Sequence, residues 1–216
     1  MSLWALVPVK DRAAGKGRLA GQLSPLERVE LVRLMLGRVV EALRGSWCLD
    51  HAAFVSVERD TIPGDFEVLP DTGEGLNPVL EQARQSLIAR GADELVVLHA
   101  DLPLVSAGDI DELIRTGRRN GLALAADAAG AGTNALYLPA RSVFRFQFGA
   151  DSRRRHLEEA ARAGLAAATV DVPGLSFDVD GPDDLERLLA RGDARFAPLA
   201  AASAKRQRAL PRRSGT

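Results

Sequence analysis

The chain has 216 residues, 46% of them hydrophobic, enough to bury one core of α/β-domain size. Its 28 Lys and Arg against 29 Asp and Glu leave a net charge of -1, which excludes a globally basic nucleic-acid binder, so an anionic ligand needs a local cluster of cations. The single Cys48 excludes an internal disulfide or a cysteine-based zinc site and reads as an inert, partly buried thiol.

Residues 3–9 form a nearly all-apolar run that suits a strand buried on both faces of a parallel sheet. The run is too short for a signal peptide, lacks a basic leader, and no apolar stretch of about twenty residues follows, so a soluble, cytoplasmic protein is expected. In Ser24-Pro-Leu-Glu27, Ser24 can cap a helix, Pro25 fits its first turn and Glu27 completes a capping box. Val29, Val32, Leu36, Val39 and Leu43 continue at helical spacing, and Gly45 stops the helix. Residues 52–57 and 66–69 read as strands, 77–90 as a helix ended by Gly91, and 95–98 as another buried strand. Ser106 caps the next helix, which carries Ile110, Leu113 and Ile114 on one face. Residues 122–126 and 135–138 are strands separated by a Gly-rich turn, and 151–163 is a helix closed by Gly164. The last strands are 166–172 and 177–179, and the last helix is 182–191.

This alternation predicts a single-domain α/β fold over residues 1–192. Its sheet is open and mostly parallel with helices on both faces, and the close strands after 122 make part of it mixed in direction. Residues 193–216 are expected to be a basic, disordered tail, since the stretch from Ser203 onward has five Lys or Arg and no acid. A nucleic-acid or partner arm is the other reading.

Two motifs place carboxylates at strand ends. Ala100-Asp101-Leu-Pro103 follows the strand at 95–98, and ligands of open α/β sheets lie beyond the carboxyl ends of strands. Ser176-Phe-Asp178-Val-Asp180-Gly-Pro182 spaces two Asp residues by two, on one face of a regular strand. Adjacent carboxylates repel unless a cation lies between them. Mg²⁺ suits the set, because it takes oxygen ligands at about 2.0–2.1 Å and shares its shell with substrate phosphates. The plainer readings are that Asp101 caps the turn before Pro103 and that Asp180 caps the helix at Pro182. A haloacid-dehalogenase-type nucleophile is disfavoured, because too little chain follows Asp178 to hold the other catalytic parts.

Lys10, Arg12, Lys16 and Arg18, interleaved with Gly15 and Gly17, follow the first strand, where amides and cations suit a triphosphate. The P-loop pattern is missing. Asp71-Thr-Gly-Glu-Gly75-Leu-Asn77 opens a helix whose free amides can meet a ligand. Gly130-Ala-Gly-Thr133-Asn134 and Phe148-Gly149-Ala-Asp-Ser152 are further small-residue turns with hydroxyl and amide donors.

Taken in order, Val7-Pro-Val-Lys10, Lys16-Gly-Arg-Leu19, Gly75-Leu-Asn77, Ala100-Asp-Leu-Pro-Leu-Val105, Gly132-Thr-Asn-Ala-Leu136, Phe148-Gly149 with Ser152 and His156, and Asp178-Val-Asp180 resemble the 2-phospho-L-lactate guanylyltransferase family. The resemblance runs from Leu3 to about Leu189. It implies a nucleotide-diphospho-sugar-transferase-like fold and a part in synthesis of the deazaflavin coenzyme F(420). It implies GTP, one or two Mg²⁺ ions, and a phosphorylated three-carbon acid: 2-phospho-L-lactate, phosphoenolpyruvate or 3-phospho-D-glycerate. By position, Asp101, Asp178 and Asp180 would hold metal, and Thr133, Gly149 and Ser152 the acid. Pro8, Lys10, Lys16, Arg18, Gly75 and Asn77 would surround the nucleotide, with Asp101, Lys10 and Arg18 acting in catalysis. His156 either contacts the acid or packs.

Gly17, Pro78, His99, Ala150-Asp151 and Arg153 depart from the family pattern. The last three lie in the acid-binding loop and lean the choice towards 3-phospho-D-glycerate or phosphoenolpyruvate. Neither nucleic acid nor membrane is expected as a partner, whereas a homodimer and a downstream coenzyme-biosynthesis transferase are. The competing readings are a nucleotidyltransferase acting on a molybdopterin or sugar phosphate, and a non-catalytic nucleotide binder.

Overall fold

Leu3, Ala5 and Val7 of β1 (Leu3–Pro8) enter one hydrophobic layer, and Trp4 and Leu6 enter another. A period-two strand covered on both sides must divide its residues this way. The computed structural model describes residues 1–9 and 16–209. Beside β1 lie β2 (His51–Ser56), β3 (Glu67–Pro70), β4 (Glu94–Leu98), β5 (Gly121–Ala126), β6 (Thr133–Pro139) and β7 (Ala166–Thr169). They form one 7-stranded sheet in the order β3-β2-β1-β4-β6-β5-β7. All pairings are parallel except the two made by β6, which runs antiparallel to β4 and to β5. The expected mixed patch is therefore one reversed strand.

One face is covered by α1 (Pro25–Gly45), α3 (Ala107–Asn120) and the short α5 (Pro173–Ser176), through Leu36, Val39, Leu43, Ile110, Leu113 and Leu175. The other is covered by α2 (Leu76–Ala89) and α4 (Ser152–Arg162), with Leu80, Leu87, Ala160 and the ring of Phe144 in its core. The predicted capping box starts α1, and the cap expected at Ser106 proves to be a second box that starts α3. Ser24 N–H donates to Glu27 at 2.6 Å, and Ser106 N–H donates to Asp109 at 2.8 Å, satisfying N-terminal groups that the helix leaves unpaired. Among the described residues, no helix is long and apolar enough to cross a membrane.

A third cluster joins distant parts of the chain. Leu19 and Leu23 follow the basic loop. They pack with Leu31 and Met35 of α1, Phe177 and Val179, Leu185 and Leu188 of α6 (Pro182–Ala190), and Phe196 and Leu199. This corrects the expectation of a disordered tail from residue 193. Residues 194–196 form a 3-10 turn, and α7 (Ala197–Ala209) is helical with Leu199 and Ser203 buried. Local composition hid an apolar anchor, Phe196, that gives the segment a core to dock on. Residues 210–216 lie outside the described residues.

Two strand expectations are also corrected. The predicted strand over 166–172 ends at Thr169, and 177–179 pairs with no strand, since α5 turns the chain away from the sheet. Phe177 and Val179 are nevertheless buried between the more exposed Asp178 and Asp180, so alternation survives without a ladder.

α3 crosses β6 closely at Gly117, where an added Cβ would overlap the Tyr137 ring. Tyr137 is tethered by its hydroxyl to buried Glu94 at 2.5 Å, so the ring has little room to yield. Gly117→Ala is expected to destabilise the protein by ~1–3 kcal/mol, even though alanine favours a helix by ~1 kcal/mol over glycine. A lower urea midpoint at unchanged m-value checks this.

Candidate active site

Because β6 is reversed, its first residues lie beside the carboxyl end of β4. The His99 N–H donates to the Asn134 carbonyl at 3.0 Å, which sets Thr133 and Asn134 next to the chain entering Asp101. The β5–β6 register shifts from Ala125↔Ala135 to Ala126↔Thr133, leaving Asn134 as the extra residue of a bulge. Bulges re-aim side chains at sheet ends. Here the Asn134 amide points to Asp178, 3.5 Å from its carboxylate.

Lys16 organises the carboxylates. Its ammonium lies 2.6 Å from Asp101 and 2.9 Å from Asp180. The cluster below explains the meeting: Leu19 anchors the loop that carries Lys16, and Val179 anchors the turn that carries Asp180. Asp180 does not cap α6, because Asp184 reaches back to the Asp180 and Gly181 N–H groups at 3.1 and 2.9 Å. Burial opposes ionisation of both Lys16 and Asp101, but their mutual attraction wins. Lys16 is held above its usual range, with help from Asp180, and Asp101 below its own. Asp178 is left with the excess negative charge. Burial, then Asp101 and Asp180, push it up to about 6.

The donor set fits a hard divalent cation. Two of three neighbouring carboxylates share one ammonium, and the raised Asp178 marks charge that a further cation would relieve. Among the described residues, however, no three acidic, His or Cys side chains already converge as ligands. Lys16 bridges Asp101 and Asp180 in this state, so a metal would have to share or displace that contact.

A second group of polar residues borders α4. The loop over 140–149 is pinned from several sides. Arg84, buried in α2, donates to the carbonyls of Ala140 at 2.6 Å and Phe144 at 2.7 Å, and to that of Ser142. Asn77 at the start of α2 exchanges two bonds with the Phe148 backbone, at 3.0 and 2.8 Å. His156 accepts the Gln147 N–H at 3.0 Å. The chain then turns through Gly149–Asp151 into α4, where the Ser152 N–H donates to the Gly149 carbonyl at 3.2 Å. Gly149 has φ 126° and Asp151 φ 53°. Lys16, with φ 58°, and Asp151 are the only non-glycine residues of positive φ among those described, and such strain gathers at functional loops. Ser152 opens α4, is 2% exposed, and its hydroxyl has no hydrogen-bond partner among the described residues.

Of the residues singled out from sequence, Asp101, Asp178, Asp180 and Lys16 come together, and Thr133 and Ser152 lie on the α4 side of the same sheet end. Pro8 ends β1, half-buried, and Gly75, with φ 100°, precedes α2. Asn77 spends its amide on Phe148, and Arg18 is exposed in a 3-10 turn. Lys10, with Arg12 and Gly15, lies outside the described residues. Sequence reasoning passed over Asn134 as a site residue, although an Asn opening an apolar strand is itself unusual.

The fold is shared with a solved structure from Desulfovibrio desulfuricans G20, assigned to the nucleotide-diphospho-sugar transferases. It superposes with a TM-score of 0.78 at 18% identity, covering 96% of this chain and 98% of that one. A mostly parallel sheet with one reversed strand is thus an α/β single-domain fold of the kind seen in that structure. Residues 3–198 match the family described as Guanylyl transferase CofC like. The phosphoenolpyruvate guanylyltransferase of Rubrobacter xylanophilus is 38% identical over 204 residues, 92% of this chain and 98% of that protein. The 2-phospho-L-lactate guanylyltransferase of Methanothermobacter thermautotrophicus is 32% identical over 202 residues, 91% of this chain and 88% of that one. The chain belongs to the CofC-like guanylyl transferase family.

Proposed function

We propose that this protein is a guanylyltransferase that moves GMP from GTP to a phosphorylated three-carbon acid and releases pyrophosphate, within deazaflavin coenzyme F(420) synthesis. The acids considered are phosphoenolpyruvate, 3-phospho-D-glycerate and 2-phospho-L-lactate. Phosphoenolpyruvate is favoured by the greater similarity of the Rubrobacter enzyme. The observation that carries the reading is the Lys16 bridge between Asp101 and Asp180, with Asp178 beside it carrying uncompensated charge.

In this reaction a phosphate oxygen of the acid attacks the α-phosphorus of GTP. A P–O–P link forms, and the bond to the β-phosphate oxygen breaks, its electrons leaving with pyrophosphate. The acid's phosphate is largely dianionic near neutral pH, its second pKa being about 6, so no general base is needed. What the protein must supply is positioning and charge neutralisation between two anions. Asp101, Asp178 and Asp180 would hold Mg²⁺, which supplies electrostatic stabilisation of the phosphoryl oxygens. Lys16, released from the carboxylates, and Arg18 would neutralise the triphosphate. Gly75 and Pro8 border the nucleotide, while Thr133, Gly149 and Ser152 donate to the acid. The product then passes to a downstream transferase.

Pyrophosphate release measured with GTP, Mg²⁺ and each of the three acids tests the reading. Release is expected with phosphoenolpyruvate, dependent on both metal and acid. Nucleotide binding without release, whichever acid is supplied, would favour a non-catalytic binder instead.

A further inference from the structure

His156 is fully buried, with the ring edge-to-face on Phe148 at 4.7 Å and tilted against Phe144 at 5.7 Å. Both ring nitrogens are engaged by the protein itself. Nε2 lies 3.0 Å from the Gln147 backbone N–H, and Nδ1 lies 3.0 Å from the Thr133 hydroxyl. A backbone N–H can only donate, so Nε2 must accept and carries no proton. The neutral ring then holds its proton on Nδ1 and donates it to Thr133. Thr133 accepts that bond and keeps its own hydroxyl proton for another acceptor. None is present among the described residues.

We propose that His156 is a positioning residue that fixes the Thr133 hydroxyl as a hydrogen-bond donor to the anionic group of the phosphorylated acid. The inference rests on the acid-site reading above and adds a direction to it. With the proton on Nε2 instead, Thr133 would donate to Nδ1 and turn lone pairs towards the anion. The Gln147 N–H forbids that state by placing two donors against each other. Ser152 lies one turn before His156 on the same face of α4, so its unpartnered hydroxyl adds a second donor beside Thr133. Burial also holds the imidazole neutral, lowering its pKa to about 4. His156 itself thus contributes an oriented dipole rather than a cation.

Two amide replacements separate the ring's two contacts. His156→Gln extends an oxygen towards the Gln147 N–H but leaves nothing at the Nδ1 position. His156→Asn places an N–H near that position and abandons Gln147. His156→Gln is expected to raise KM for phosphoenolpyruvate by about 10-fold, the loss of one directed hydrogen bond, with KM for GTP unchanged. His156→Asn is expected to recover most of that affinity. Thr133→Val should match the Gln variant, and combining the two should add little. In the unaltered protein, two-bond ¹H–¹⁵N correlation should place the ring proton on Nδ1. A proton on Nε2, or equal losses for both substrates in both amide variants, overturns the proposal while leaving the acid site in place. If unaltered protein neither binds nor turns over any phosphoacid, the acid-site reading fails and takes this role with it.

Discussion

Asp101→Asn is expected to lower the rate of pyrophosphate release by about 10³-fold, the scale seen when one preorganised charge-stabilising group is removed. The chain entering Asp101 is fixed by β4 and by the His99–Asn134 bond, and its carboxylate is the group Lys16 holds at 2.6 Å. Asparagine keeps the shape and one carbonyl oxygen but removes the charge. On the proposed mechanism this weakens the hold on Mg²⁺ and leaves Lys16 on Asp180 alone. The decisive measurement is kcat across a Mg²⁺ titration. A rate that returns at saturating metal would reduce Asp101 to an affinity role. Turnover and metal dependence both unchanged would mean that the carboxylates are not the reaction centre.

Asp178→Asn is expected to abolish most activity while making the metal-free protein more stable above pH 7. The ordinary pKa of the carboxyl is 3.8, and in the folded protein it is pushed up to about 6. The folded state therefore binds this proton more tightly than the unfolded chain does. Its contribution to stability is complete below about pH 4 and is lost as pH rises through 6. Undiscounted, the shift would cost ~3 kcal/mol at pH 8, and the partial exposure of Asp178 brings this to ~1 kcal/mol. The amide removes that cost, so its melting temperature should exceed that of the unaltered protein at pH 8 and match it near pH 4. His156 acts in the opposite sense, its neutral state adding stability above about pH 6.5 that fades towards pH 4. That contribution is common to both proteins and cancels in the difference. Saturating Mg²⁺ should close the gap by stabilising the unaltered protein more. An Asp178→Asn protein less stable at pH 8, with no metal-dependent convergence, would remove the case for a charge-strained cation site.

Both effects arise from contacts that differ in how far they can be read locally. Asp101 is legible because a run of buried apolar residues, Leu95 to Leu98, announces a strand end just before it. Asp178 and Asp180 are legible as a pair, although the strand assigned to them is a turn held by Phe177 and Val179. Lys16 stands out by its charge and its glycine neighbours, but its partners lie 85 and 164 residues away. No local pattern reports a pairing at such distances, since it depends on Leu19 and Val179 reaching one core. His156 could be placed one turn after Ser152, yet its role depended on which nitrogen meets a backbone N–H.

The sequence by itself determined the alternation of strands and helices, the capping box at Ser24, the helix cap at Ser106, and the acidic residues at the sheet's carboxyl edge. These follow from hydrophobic period and short-range hydrogen bonding, both of which act within a few residues. Only the tertiary structure decided that β6 is reversed between β4 and β5 and that Asn134 bulges towards Asp178. It also decided that residues 194–209 fold against α1 rather than trail as a tail. The physical reason is common to all three. Each is settled by burial and pairing between segments far apart in the chain, where a favourable contact exists only after the core that brings the partners together has formed.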